Sequence, residues 1–162
     1  MKKVSPKEMA EQVGRMIEVM EYAKNHRVSV GLPKEKVGGK VYRGGMTIIQ
    51  IGAIHEYGAP AAGVPQRSFL RAPFTNNAAR IEARIQAEFS AAMDGRRSPA
   101  DALARVGIEA MNISRSSFRT RGDGEWPDLK PATVRRKGVD TPLVDSGTLR
   151  GSINYVVRRN AA

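Results

Sequence analysis

Residues 47–71 read TIIQIGAIHEYGAPAAGVPQRSFLR, and the rest of the chain reads as arranged around them. Ile48, Ile49, Ile51, Ala53 and Ile54 form a short apolar, helix-like run that continues into His55-Glu56-Tyr57. Gly58 follows and tolerates a positive φ, which is a physical reason for a helix to stop there. After the small-residue loop Ala59–Gly63, Pro65 predicts a strand-like run, because a missing N–H does least harm at a strand's start. Arg67 and Arg71 flank Phe69-Leu70, so charge and core meet within a few residues. The stretch reads as a structural hub that also presents charge.

Upstream, Ser5-Pro6-Lys7-Glu8 is a capping-box pattern, and it predicts a helix over 6–24. Met9, Val13, Met16, Ile17 and Met20 recur at helical spacing within it, a stripe suited to the core or to a subunit contact. Gly14 in mid-helix costs about 1 kcal/mol relative to alanine, which predicts close approach of another backbone. Arg27–Leu32 alternates as a half-buried strand ended by Pro33, with His26 a turn residue at the corner. Residues 33–46 hold four glycines with Lys34, Lys36, Lys40 and Arg43, and predict a mobile basic loop.

Downstream, Phe74, Ala78, Ile81, Ile85, Phe89 and Ala92 form the apolar stripe of a helix over 73–93, with Arg80, Glu82, Arg84 and Glu88 outward. Ser98-Pro99 opens a third helix to about 118, with Leu103, Val106, Ala110, Ile113 and Ser117 on one face. The pair predicts an αα-hairpin on a small sheet. Residues 119–130 read as loop, with the RGD tripeptide of 121–123 a turn and Trp126 ahead of Pro127. Residues 131–138 predict a short helix whose cations suit its C-terminal end. Asp145 or Ser146 caps a further turn carrying Leu149, and Ile153–Arg158 closes as a strand, leaving 160–162 to fray.

The fold class expected is therefore α+β: a small antiparallel or mixed sheet against two or three long helices, in a single domain over 1–162. The net charge of +11 is spread along the chain. Residues 1–95 carry 14 basic and 9 acidic side chains, and residues 96–162 carry 13 and 7. A folded body with basic surfaces suits polyanionic neighbours, nucleic acid first. No cysteine is present, which excludes disulfides and thiolate chemistry. The start lacks the apolar core of a secretory signal, and no stretch approaches the roughly 18 apolar residues of a membrane span.

Catalytic equipment is sparse. Two histidines exist, His26 and His55, and no serine sits in a nucleophile elbow. His55-Glu56 is half of an HExxH zinc motif, but position 59 is alanine. The pairs Asp123/Glu125 and Asp140/Asp145 lie in loops without an apolar wall to raise a pKa. No catalytic, cofactor-binding or metal site is expected, and the chain does not read as an enzyme.

Two separated stretches together resemble the tail-completion or virion-morphogenesis proteins of tailed phages and prophages. The first is IHEYGAP…VPQRSFLR, with Glu56-Tyr57-Gly58 followed by Pro65, Arg67 and Phe69. The second is PLVDSGTLRGSI, with Pro142, Leu143, Gly147, Leu149, Ser152 and Ile153. Trp126, Pro127, Leu129, Arg136 and Lys137 lie between them. Ser146 stands where the family more often has threonine, and Ser68 where it more often has a second proline.

The resemblance implies a virion protein, assembled in the host bacterial cytoplasm as a ring of hexamer or dodecamer type at the neck. Its neighbours would be a head–tail adaptor and a tail terminator or tube, and genomic DNA would pass through the lumen without sequence readout. Lys34, Lys36, Lys40, Arg43, Arg67 and Arg71 are the interface or DNA-lumen candidates under that reading. Glu56, Tyr57, Gly58, Pro65, Phe69, Gly147, Leu149 and Ser152 are its fold motif. The family carries no catalytic residues. The alternative is a free-standing basic nucleic-acid-binding module, which would place stacking aromatics on a basic sheet face.

Overall fold

A computed structural model describes residues 5–39, 41, 42, 44–143 and 147–161. The fold is α+β, as expected: the described chain is mostly helical, with a small two-stranded antiparallel sheet, β1 (His26–Gly31) beside β2 (Asn154–Arg159). No helix among the described residues is long and apolar enough to cross a membrane. Contacts gather the chain into two compact units, each assembled from separate segments.

The first unit holds the residues up to Ser29, Ala79–Glu109 and Tyr155 onward. Helix α1 (Pro6–Asn25) starts on the predicted capping box: Glu8 N–H donates to Ser5 Oγ, and Ser5 N–H donates to the Glu8 carboxylate at 2.7 Å. It buries Val19 against Ala92 and Ala102, with Phe89 and Met93 at the margin. Ala92 belongs to α5 (Ala78–Met93) and Ala102 to α6 (Pro99–Thr120), whose start is capped where Asp101 N–H donates to Ser98 Oγ at 3.0 Å. Small side chains at this junction let the helices come close.

The sheet residues of this unit pack on α6 at Gly107. A Cβ there would lie 2.6 Å from the Tyr155 ring and 2.7 Å from a Val28 methyl, so only glycine fits. His26 is the corner residue expected, stacked on Tyr22 at 3.8 Å. Asn160 does not fray: its N–H donates to Asn25 O at 2.7 Å, and its side chain binds both Lys24 O and Arg27.

Three expectations are corrected in this unit. Of the two readings of the α1 stripe, core or subunit contact, the first is excluded, since Met9, Val13, Met16, Ile17 and Met20 are all exposed, from 39% at Met16 to 62% at Met20. Among the described residues Gly14 meets no close backbone, for none lies within 4 Å of its Cβ position outside its own helix. Glu88 does not face outward; it is buried and held by Arg84 at 3.0 Å and by Arg97, which neutralise a carboxylate that could not be buried alone.

The second unit spans Val30–Ala78 and Ala110–Asn154. Its core gathers Val37, Ile48, Phe69, Phe118, Trp126, Leu149 and Ile153. Phe69, Phe118 and Trp126 form a chain of edge-to-face contacts with centroids 5.5 Å apart, the arrangement ring quadrupoles prefer. Around it lie α2 (Lys34–Val37), α3 (Ile48–Tyr57), a 3₁₀ turn at Pro60–Ala62, α4 (Arg71–Asn76), α7 (Pro131–Lys137) and α8 (Thr148–Ser152).

Two elements differ from the sequence reading here. The helix expected over 73–93 breaks at Asn77, whose backbone and side-chain nitrogens both donate to Pro73 O, at 3.1 and 2.9 Å. The backbone bond is the last helical one, and the side-chain bond to the same carbonyl is the local kind that competes with continuing the helix. No strand follows Pro65; Val64 makes one isolated bridge to Ala59 and nothing more. Part of the basic loop is helical as α2, while Lys40 and Arg43 lie outside the described residues, as do Asp145 and Ser146.

Candidate functional site

The missing strand has a direct cause in Glu56. Helix α3 begins on a Thr47/Gln50 capping box and ends at Gly58, whose φ of 77° turns the chain back. That turn sets the buried Glu56 carboxylate against the following segment. Its Oε2 accepts from the N–H groups of Phe69 (2.8 Å) and Leu70 (2.9 Å). Its Oε1 accepts from Ser68 Oγ (2.7 Å), Arg71 N–H (3.1 Å) and Arg71 Nε (3.3 Å). Backbone donors that a strand would give to a neighbour go to one side chain instead. The last of these backbone donors, Arg71 N–H, opens α4 (Arg71–Asn76), so Glu56 serves as an acceptor at its N-terminus from a distance.

Arg67 completes the hub from the other side. It is buried, and its guanidinium donates to Pro127 O at 3.0 and 2.8 Å and to Asp128 O at 3.1 Å. Burial holds its pKa below the ordinary guanidinium value, with Asp128 opposing. Trp126 Nε1 donates to Ser68 O at 3.1 Å, and Ser114 Oγ to Phe69 O at 2.7 Å. Three of the five N–H donors of Arg67, an interface or lumen candidate, are thus taken by carbonyls inside the fold. Arg71 differs, being exposed, with its guanidinium 4.9 Å from the Tyr57 ring centroid. Lys34 and Lys36 are exposed on α2.

The motif residues of the two separated stretches meet. A Cβ on Gly52 of α3 would lie 3.5 Å from Phe69 and 3.6 Å from Leu149 of α8, with Leu32 closer still. Gly147 takes φ 72° to start α8, and Arg115 donates to Ile153 O at its end. Ser152 is half-buried.

The hub walls a groove of about 1390 Å³, lined by Tyr57, Val64, Pro65, Leu129 and Leu143 among apolar residues and by Lys130, Arg136 and Lys137 among cations. His55 also lines it, half-buried, with its Nδ1 unpartnered. Burial first, then the charges of Arg67 and Lys137, push the imidazole below its usual pKa. A neutral imidazole beside cations is not poised as a general base with a carboxylate orienter, because Glu56 faces the other way into its N–H donors. No group of three or more potential metal-ligating side chains occurs among the described residues.

No protein-family model, curated protein or solved structure matches the chain.

What the sequence reading missed is the groove. The sequence reading places Arg136 at a helix end and Lys130 in a loop, without bringing them together, and the carbonyls of Pro127 and Asp128 that receive Arg67 carry no sequence signal.

Proposed function

We propose that this protein is a structural subunit of a tailed-phage or prophage neck, a ring that completes the tail and joins it to the head with DNA passing through the lumen. The observation that carries the reading is the convergence of the two motif stretches. Gly52, Phe69 and Leu149 pack together, and Glu56 ties the first stretch to itself. Motif residues that meet in one core explain why they would recur together without any catalytic duty. The chemistry around them is binding chemistry: Glu56 and Arg67 are hydrogen-bonded inside the fold, and the exposed charges are mostly positive, as phosphate neutralisation requires. The exposed apolar face of α1 supports an assembling protein rather than a solitary one.

Deleting the gene from the phage or prophage should leave filled heads and finished tails unjoined in the lysate. Purified protein added back should restore infectious particles. Joined, infectious particles in its absence would overturn the reading.

A further inference from the structure

Four arginines line one cavity of about 630 Å³ within the first unit: Arg84 of α5, Arg96 and Arg97 of the α5–α6 turn, and Arg105 of α6. Asp101 is the carboxylate of that lining, and it accepts from Ser98 Oγ at 2.9 Å. Glu88 is buried and shared by Arg84 and Arg97, so one carboxylate fixes two guanidinium groups. Arg96 pairs with Asp94 at 2.6 Å. Arg105 is exposed and has no ion pair among the described residues. Two features of this cavity are left over once the fold is accounted for. Its four cations meet three carboxylates, Glu88, Asp94 and Asp101, which leaves one positive charge in surplus. Arg84 Nε is buried without a hydrogen-bond acceptor among the described residues, and a buried donor in that state points to a water or an ion as its partner.

We propose that this cavity binds a phosphodiester of a nucleic-acid backbone. A phosphodiester carries one negative charge, which matches the surplus. Its tetrahedral phosphate presents acceptor oxygens in several directions, as arginines arriving from three segments require, and guanidinium forks match phosphate geometry. A carboxylate answers the cavity less well. Glu88 already occupies two of the arginines with its two oxygens, and Arg105 and Arg84 Nε still lack an acceptor. Glu88 is thus a positioning residue: it holds Arg84 and Arg97 in place before the ligand arrives, which lowers the cost of ordering them on binding. The site belongs to the first unit, whereas Lys34 and Lys36 belong to the second. It stands on its own geometry and rests on the neck reading only for the nucleic acid being genomic DNA.

The test is fluorescence anisotropy of a labelled DNA duplex of mixed sequence, titrated with the full chain at several salt concentrations. Wild-type protein should bind. Arg105→Ala breaks no printed fold contact of α6, so it should melt like wild type, yet weaken binding at least about threefold and lower the salt slope by about one. Lys24→Ala removes the same charge from an exposed position on α1 and should leave the slope at its wild-type value. Arg84→Lys keeps the charge but deletes Nε, and should also weaken binding. Inorganic phosphate should displace the duplex better than acetate at matched ionic strength. No duplex binding, equal losses in Arg105→Ala and Lys24→Ala, wild-type affinity in Arg84→Lys, or equal competition by acetate and phosphate would each overturn the site. Rings or tube caps formed by a protein that fails this test would leave the neck reading standing without the cavity. Duplex binding lost with Arg105, in a protein that forms neither rings nor caps, would leave the cavity standing and remove the neck.

Discussion

Glu56 Oε2 accepts the backbone N–H of Phe69 at 2.8 Å, and that bond closes the hub across thirteen residues of chain. Phe69 is fully buried, so its N–H has no water to turn to if the carboxylate is lost. Glu56→Ala should cost at least about 1–3 kcal/mol, the penalty for leaving a buried donor without an acceptor. Glu56→Gln keeps one acceptor oxygen and should cost less. Urea midpoints check both. A loss under about 1 kcal/mol for the alanine variant, the size of an exposed pair, would contradict the central place given to this residue.

Arg67→Ala should release the segment around Trp126. Three carbonyl contacts disappear, and the lysine variant cannot replace them, because one ammonium cannot reproduce the planar fork. Tryptophan emission, from a single residue, should shift to the red in both variants and the melting temperature should fall. Unchanged emission in Arg67→Lys would show that fork geometry is dispensable.

Much of this was legible beforehand, and the reasons are local. The capping box at Ser5, the stop at Gly58 and the apolar stripe of α6 are set by neighbours in sequence; the Thr47/Gln50 box is just as local, yet the sequence reading passes over it. The failures are long-range. Pro65–Leu70 has strand-like composition, but a carboxylate from α3 takes its donors; Glu88 looks solvent-facing until Arg97 comes round from the α5–α6 turn. The α1 stripe left core and subunit contact both open, because periodicity reports an apolar face and not what covers it. Half of the candidate site was visible as a motif; the groove was not, since its cations and walls come from segments far apart in the chain.

Gly107→Ala sets helix propensity against packing. Alanine favours α6 by about 1 kcal/mol, yet its methyl would sit 2.6 Å from the Tyr155 ring. Overpacking costs about 1–3 kcal/mol, so the clash should win and the variant should melt lower. Gly151→Ala, with open space at its Cβ, is the control and should not.

His55 gives the fold a dependence on pH. Its folded pKa lies below the unfolded value of 6.5, so between the two the unfolded state binds more protons. The stability it contributes is full above 6.5, falls as pH drops through that value, and levels off below the folded pKa. His55→Phe should flatten that part of the profile, measured by urea unfolding from about pH 8 to about pH 5. A wild-type profile as flat as the variant's would contradict it.

Neutralising Lys34, Lys36, Lys40 and Arg43 should leave folding intact, since the two described members are exposed. Head–tail joining should suffer, and salt should matter less to any remaining DNA contact. Wild-type yields of infectious particles would remove the lumen role from this segment.

The most direct measurement for the neck reading is electron microscopy of negatively stained protein, alone and mixed with tail tubes of the phage or prophage that encodes it. The account predicts rings, or caps confined to the head-proximal end of the tubes. A monodisperse monomer that ignores the tubes yet shifts DNA at moderate salt would contradict it and favour a free-standing nucleic-acid-binding module.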